Sequence, residues 1–136
     1  MKIIIDTNII FSSLLSSNEK YLKLFLNNNF YAPNYLVYEI FKYKPKIIKY
    51  SNLTLREIDE FFAFVLKKIY LVNEETLSTQ SLKKSYELCK DIDRNDISFV
   101  ALTIELNGLL LTGDKKLFNG LKNKKFNKLI TLEEIL

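Results

Sequence analysis

Leu109–Leu111 is a run of three leucines with no polar residue in it, and Ile3–Ile5 repeats the pattern with three isoleucines. A short apolar run that does not alternate with polar residues belongs to a parallel strand buried on both faces. Helical spacing leads into the leucine run: Ile97, Val100, Ala101 and Ile104 recur at i, i+3, i+4 and i+7, and Asn107-Gly108 stops the helix. Strands and helices that alternate in this way give an α/β fold with a small, mostly parallel sheet flanked by helices. Both apolar runs end close to an acid. Asp6 follows the first directly, and Thr112-Gly113-Asp114 follows the second.

The remaining chain extends the alternation. Asp6-Thr7-Asn8 leads into a helix carrying Ile9, Ile10, Phe11, Leu14 and Leu15, and residues 18–27 form a second helix ended by three asparagines. Residues 30–32 are a strand closed by Pro33. A third helix runs from Asn34 through Leu36, Val37, Ile40 and Phe41, carries Glu39, and is stopped by Pro45, with a short helical turn over 46–51. Thr54 with Glu57 three positions later is a capping box, opening a helix to about Lys68. Strands at 70–72 and 126–130, helices at 79–90 and 115–121 and a helical turn at 131–136 complete the reading. Within 79–90, Leu82, Tyr86 and Cys89 are expected to face inward. A chain of 136 residues fits a single domain over 1–136 with a core that needs no disulfide.

Composition narrows the chemistry. There is no histidine, which removes His-based triads, His metal ligands and His general bases, and the lone Cys89 cannot build a disulfide framework or a zinc knuckle. Carboxylates, lysines and hydroxyls remain, or a cofactor. The net charge of +4 suits a polyanion such as nucleic acid, but nearly all of it is lysine, with Arg56 and Arg94 as the arginines, and an AT-rich coding bias accounts for it equally well. Asp6 interrupts the opening apolar trio before a leader core could form, and no apolar run is long enough to span a bilayer, so a soluble cytoplasmic protein is expected.

The acids each have an ordinary explanation. Asp6, Asp93 and Asp114 stand where helix caps stand, and Glu39 borders the apolar side of its helix as a solvated glutamate does. Asp6 and Asp114 lie at carboxyl ends of strands, where open parallel sheets bind ligands. Asp93 and Asp96 head the helix leading into Asp114's strand, which sets them at the opposite sheet edge unless the preceding loop crosses back. Periodicity alone does not bring the acids together.

Four motifs taken in order do. Asp6-Thr7-Asn8 after an apolar strand, Glu39 in a helix, Asp93-x-x-Asp96 followed by Phe99-Val100-Ala101-Leu102, and Leu111-Thr112-Gly113-Asp114-Lys115 together resemble the PIN-domain family, most of all its small prokaryotic stand-alone members, many of them toxins of toxin–antitoxin pairs. The resemblance implies a PIN-like three-layer α/β/α fold with the acids in one pocket. It carries Asp6, Glu39, Asp96 and Asp114 onto the family's catalytic acids, Asp93 onto a less uniform acidic position, and Asn8 and Thr112 onto small polar positions beside them. It also implies a metal-dependent endoribonuclease that hydrolyses RNA phosphodiester bonds with Mg2+ or Mn2+ held by Asp6, Glu39, Asp93, Asp96 and Asp114, an antitoxin protein partner and a homodimer.

Hard cations take oxygen ligands and relieve the repulsion of clustered carboxylates. Arg94, Lys115 and Lys116 adjoin the acids as phosphate contacts or as ordinary solvated cations, and Tyr35, Tyr38 and Tyr43 offer rings for base stacking or for packing. The alternative of another class is a catalytically inactive PIN-like module that binds RNA or protein. A receiver-like phosphoacceptor domain would want two adjacent acids after the first strand, where Asp6-Thr7-Asn8 offers one.

Overall fold

The computed structural model describes residues 1–16 and 19–136; the expected start of the second helix at Asn18 lies outside them. The strands are β1 (Ile3–Ile5), β2 (Phe30–Pro33), β3 (Ile69–Val72), β4 (Leu109–Leu111) and β5 (Leu129–Ile130). They form one sheet in the order β3-β2-β1-β4-β5 with every pairing parallel. The helices are α1 (Thr7–Leu15), α2 (Glu19–Asn27), α3 (Tyr35–Tyr50), α4 (Leu55–Leu66), α5 (Thr79–Cys89), α6 (Ile97–Leu106), α7 (Lys115–Asn123) and α8 (Leu132–Ile135). Helices cover the sheet to make a three-layer α/β/α architecture, as the family resemblance implies.

The non-alternating runs are the centre of it. Ile4, Ile5, Leu110 and Leu111 are wholly inaccessible, and β1 pairs with β4 residue for residue, Ile3 with Leu109 through Ile5 with Leu111. The turn between α6 and β4 fixes that register. Asn107 takes the left-handed conformation (φ 50°) that closes the helix, and Leu109 N–H then donates to the Lys2 carbonyl at 2.9 Å. Gly108 sits so close to β1 that a Cβ on it would lie 2.4 Å from the Lys2 carbonyl oxygen. Gly108→Ala is therefore expected to force β1 and β4 apart at their start and to cost about 1–3 kcal/mol. A thermal melt measures it, and an unchanged Tm would mean that the backbone yields freely there.

Three elements depart from the sequence reading. α3 does not stop at Pro45 but runs on to Tyr50 with the proline inside it. An interior proline removes one helical hydrogen bond, and the last turns persist because Ile47 is drawn into the core at 4 % exposure. In α5 the inward face is Ser81, Ser85 and Cys89, while Leu82 and Tyr86 are turned toward solvent. Small side chains let α5 lie close against α6, and Ser85 Oγ donates to the Ile97 carbonyl at 2.6 Å across the contact. The closing strand is shorter than 126–130; Phe126 is buried, but Lys125 (φ 64°) turns the chain after α7 and pairing is confined to Leu129–Ile130. The capping box of Thr54 and Glu57 is present as expected.

Candidate active site

The strand order reverses between β1 and β4, because the chain leaves β1 toward β2 on one side and places β4 on the other. Ligands of open parallel sheets bind at such a point, outside the carboxyl ends of the strands. Asp6 and Asp114 stand there. Asp6 N–H donates to the Leu111 carbonyl at 3.0 Å, which carries the β1–β4 pairing one step past the strand ends and sets Asp6 beside Thr112.

The Thr112 hydroxyl joins the two acids. It donates to Asp6 Oδ2 at 2.7 Å and accepts from the Asp114 amide at 3.1 Å. Asn8 closes the same unit by accepting from the Gly113 amide at 3.3 Å. Asp6 occupies the N-cap position of α1, yet its side chain makes no cap hydrogen bond. Asp114 does cap α7, with Oδ1 accepting from the amides of Lys116 and Leu117 at 3.0 and 3.2 Å.

Glu39 arrives from α3 and is held by the Thr7 hydroxyl, which donates to its Oε1 at 2.7 Å. Asp93 and Asp96 flank a 3₁₀ turn, Arg94–Asp96, at the head of α6. That head is on the acid side of the sheet, not the opposite edge. Ser78 N–H at the start of α5 donates to Glu105 near the tail of α6, so the segment between β3 and α5 crosses back along the sheet and α5 and α6 run antiparallel. The tail of α6 is tied to the start of β1, and its ten residues span about 15 Å, which brings its head to the strands' carboxyl ends. Tyr35 completes the link, its hydroxyl donating to Asn95 Oδ1 at 3.2 Å one helical turn from Glu39.

Asp6, Glu39, Asp93, Asp96 and Asp114 all line one cavity of about 390 Å³, with Asn8 among its walls. Thr112 and Lys115 face an adjoining groove that shares Asp114. Arg94 faces a separate groove beside Tyr35, and Tyr38 is largely exposed and lines neither. Further lining residues escape sequence reading, among them Phe11, Leu15, Lys46, Ile47 and Tyr50. Counting onward from Glu39 at +4, +7, +8 and +11 finds Tyr43, Lys46, Ile47 and Tyr50 on one helical face, but only if α3 is carried through Pro45.

A family model for the PIN domain matches residues 4–134 of this chain. The chain belongs to the PIN-domain family. It is 28 % identical over 136 residues to the uncharacterized protein MJ1680 of Methanocaldococcus jannaschii, a match covering 95 % of this chain and 81 % of that one. Its fold resembles the crystal structure of VapBC2 from Rickettsia felis bound to a DNA fragment from their promoter, with a TM-score of 0.66 over 96 % of this chain and 97 % of that one at 17 % identity.

Asp6, Glu39 and Asp96 of this PIN domain strain against ionisation, and burial is the largest cause at each of the three. It lifts Asp96 to about 8, with Asp6, Asp93, Asp114 and Glu39 adding repulsion. It lifts Glu39 to about 7 against the opposing Thr7 hydrogen bond, and Asp6 to about 6 against that of Thr112. Asp96 Oδ2 is buried with no hydrogen-bond partner. A buried acceptor left unpaired is costly, and a hard divalent cation is the partner that carboxylate oxygens would take. Among the described residues no three acid or cysteine side chains close into a ready-made coordination shell. No helix among the described residues is long and apolar enough to cross a membrane.

Proposed function

We propose that this PIN domain is a Mg2+- or Mn2+-dependent endoribonuclease and the toxin of a toxin–antitoxin pair, acting in the cytoplasm. The observation that carries the reading is the convergence of five carboxylates on one cavity with the Asp96 oxygen left unpartnered. Structural acids are ordinarily paired or solvated, and the buried Asp96 Oδ2 is neither. Asp6, Asp96 and Asp114 would hold an ion directly or through water, with Asp93 beside them. Such an ion offsets the clustered negative charge and makes a bound water more acidic.

Hydrolysis joins the oxygen of water to phosphorus and breaks the bond from phosphorus to the leaving ribose oxygen. Glu39, raised toward neutrality and steadied by Thr7, is suited to orient the attacking water and take its proton, or to hold a second ion. Asn8 and Thr112 keep Asp6 and Asp114 in register. Arg94, Lys115 and Lys116 are exposed, Lys115 in the groove that shares Asp114 and Arg94 in the groove beside Tyr35, and all three are assigned to backbone phosphates of the RNA. The likeness to VapBC2 supports an antitoxin protein as partner, and family resemblance supports a homodimer.

Purified protein is expected to cut single-stranded RNA with Mg2+ or Mn2+ and to be silent with a chelator, and its expression is expected to arrest growth. Absence of cleavage with either ion, together with harmless expression, would leave the inactive RNA- or protein-binding module as the reading.

A further inference from the structure

The cavity has two ends of different chemistry. Beyond the acids, its wall is built from α1 and α3: Phe11 and Leu15 from the first, Tyr43, Lys46, Ile47 and Tyr50 from the second. Phe11 and Tyr43 pack edge to face, with ring centroids 5.7 Å apart at 75°, so each fixes the other's orientation. Tyr50 and Leu15 are 62 % and 52 % exposed although they sit at the mouth of a cavity, where apolar surface is ordinarily covered. Lys46 stands between Tyr43 and Tyr50 along α3 and is the one cation among the residues lining this cavity.

We propose that this wall is a nucleotide subsite, in which a base of single-stranded RNA next to the scissile bond stacks on the Tyr43 and Tyr50 rings while Lys46 contacts the adjoining phosphate. The proposal rests on the nuclease reading and deepens it. A base brings an aromatic face and, at a fixed distance along the strand, an anion; the wall presents two tyrosine rings and, between them along α3, a cation. Stacking on rings with phosphate contacts from a basic groove is how single strands are gripped without base-edge readout. Geometry supplies the direction. Lys46 is seven residues beyond Glu39 on the same helix, about 10 Å along its axis, so a strand whose scissile phosphate meets Glu39 and the aspartates runs along α3 past Lys46. An apolar protein segment fits less well, because it would cover the Lys46 ammonium with no counter-charge.

The test is steady-state cleavage and salt-dependent binding of a fluorescent single-stranded RNA by the wild type, Tyr43→Leu, Tyr50→Leu and Lys46→Gln, with thermal melts of each. Loss of a stacked base is expected to raise KM about 10-fold or more in the tyrosine variants, with kcat within about two-fold. Lys46→Gln is expected to weaken binding and reduce the slope of log affinity against log salt by about one. Tyr50 is exposed, so its variant keeps the test valid if Tyr43→Leu disturbs Phe11 and fails to fold. A wild type that cleaves, with variants matching it in KM and salt slope, overturns the subsite and leaves the nuclease reading standing. Variants that lose only a protein partner overturn it in favour of a protein-binding wall. A wild type that cleaves no RNA with Mg2+ or Mn2+ overturns both.

Discussion

Asp96→Asn protein is expected to lose RNA cleavage while keeping its fold. Asp96 is 8 % exposed, heads α6 and has a carboxylate oxygen without a partner. Burial, with added repulsion from Asp6, Asp93, Asp114 and Glu39, pushes it toward the protonated form, so an amide of the same shape resembles the state it already favours without an ion. What the variant cannot do is offer an anionic oxygen to a cation. Loss of an outer-shell partner of a metal costs roughly 10–100-fold, and loss of a direct ligand should exceed that. Measured together, cleavage rate should fall more than about 100-fold, the metal-free Tm should stay level or rise, and the increase in Tm on adding Mg2+ should shrink. A variant that retains more than a tenth of wild-type activity would remove Asp96 from the catalytic set.

Stability of the ion-free protein is expected to fall as pH rises from about 4 to about 8, and Mg2+ to reverse the fall. Free aspartic and glutamic acids titrate near 3.9 and 4.3, whereas Asp6, Glu39 and Asp96 are raised to about 6, 7 and 8. A carboxyl with a raised folded value holds its proton more tightly in the fold than in the unfolded chain. Its contribution is therefore fully present below about pH 4 and lost as pH climbs through the folded values. Asp6, almost wholly buried, accounts for about 3 kcal/mol of that loss at 1.36 kcal/mol per pH unit. Glu57, Glu105 and Glu134 are shifted the other way by their cap and hydrogen-bond partners, and their effect is complete below the window from 5 to 8. Melts across that window, with and without Mg2+, read the site acids. An ion at 100 times its Kd would restore about 2.7 kcal/mol. A flat profile would show that the acids do not crowd one another as the geometry requires.

What could be read from residue order was local. Three isoleucines and three leucines announce strands wet on neither face; Thr54 and Glu57 announce a capping box; Asn107-Gly108 announces a helix end. Each is a preference of a few neighbouring residues, and each is met in the fold. The failures are tertiary. Pro45 stays inside α3 because Ile47 finds the core. Ser81 and Ser85 face inward because α6 comes close enough to need small residues. The meeting of Asp96 with Asp6 depends on a segment that crosses the sheet before α5 begins, and no local spacing encodes that path. For the same reason Lys46 and Phe11 could not be placed in the cavity, whereas the four motifs, taken as a set, could be recognised by family resemblance.

Four of the five acids already have one oxygen in use: Asp6 Oδ2 with Thr112, Glu39 Oε1 with Thr7, Asp93 Oδ1 with the Asn95 amide, and Asp114 Oδ1 with two amides of α7. Hydrogen bonds of this kind fix the plane of a carboxylate while leaving it lone pairs to give. The small hydroxyls and turn amides behind the acids thus set these four side chains before any ligand arrives, so that the shape of the pocket belongs to the fold and not to what enters it.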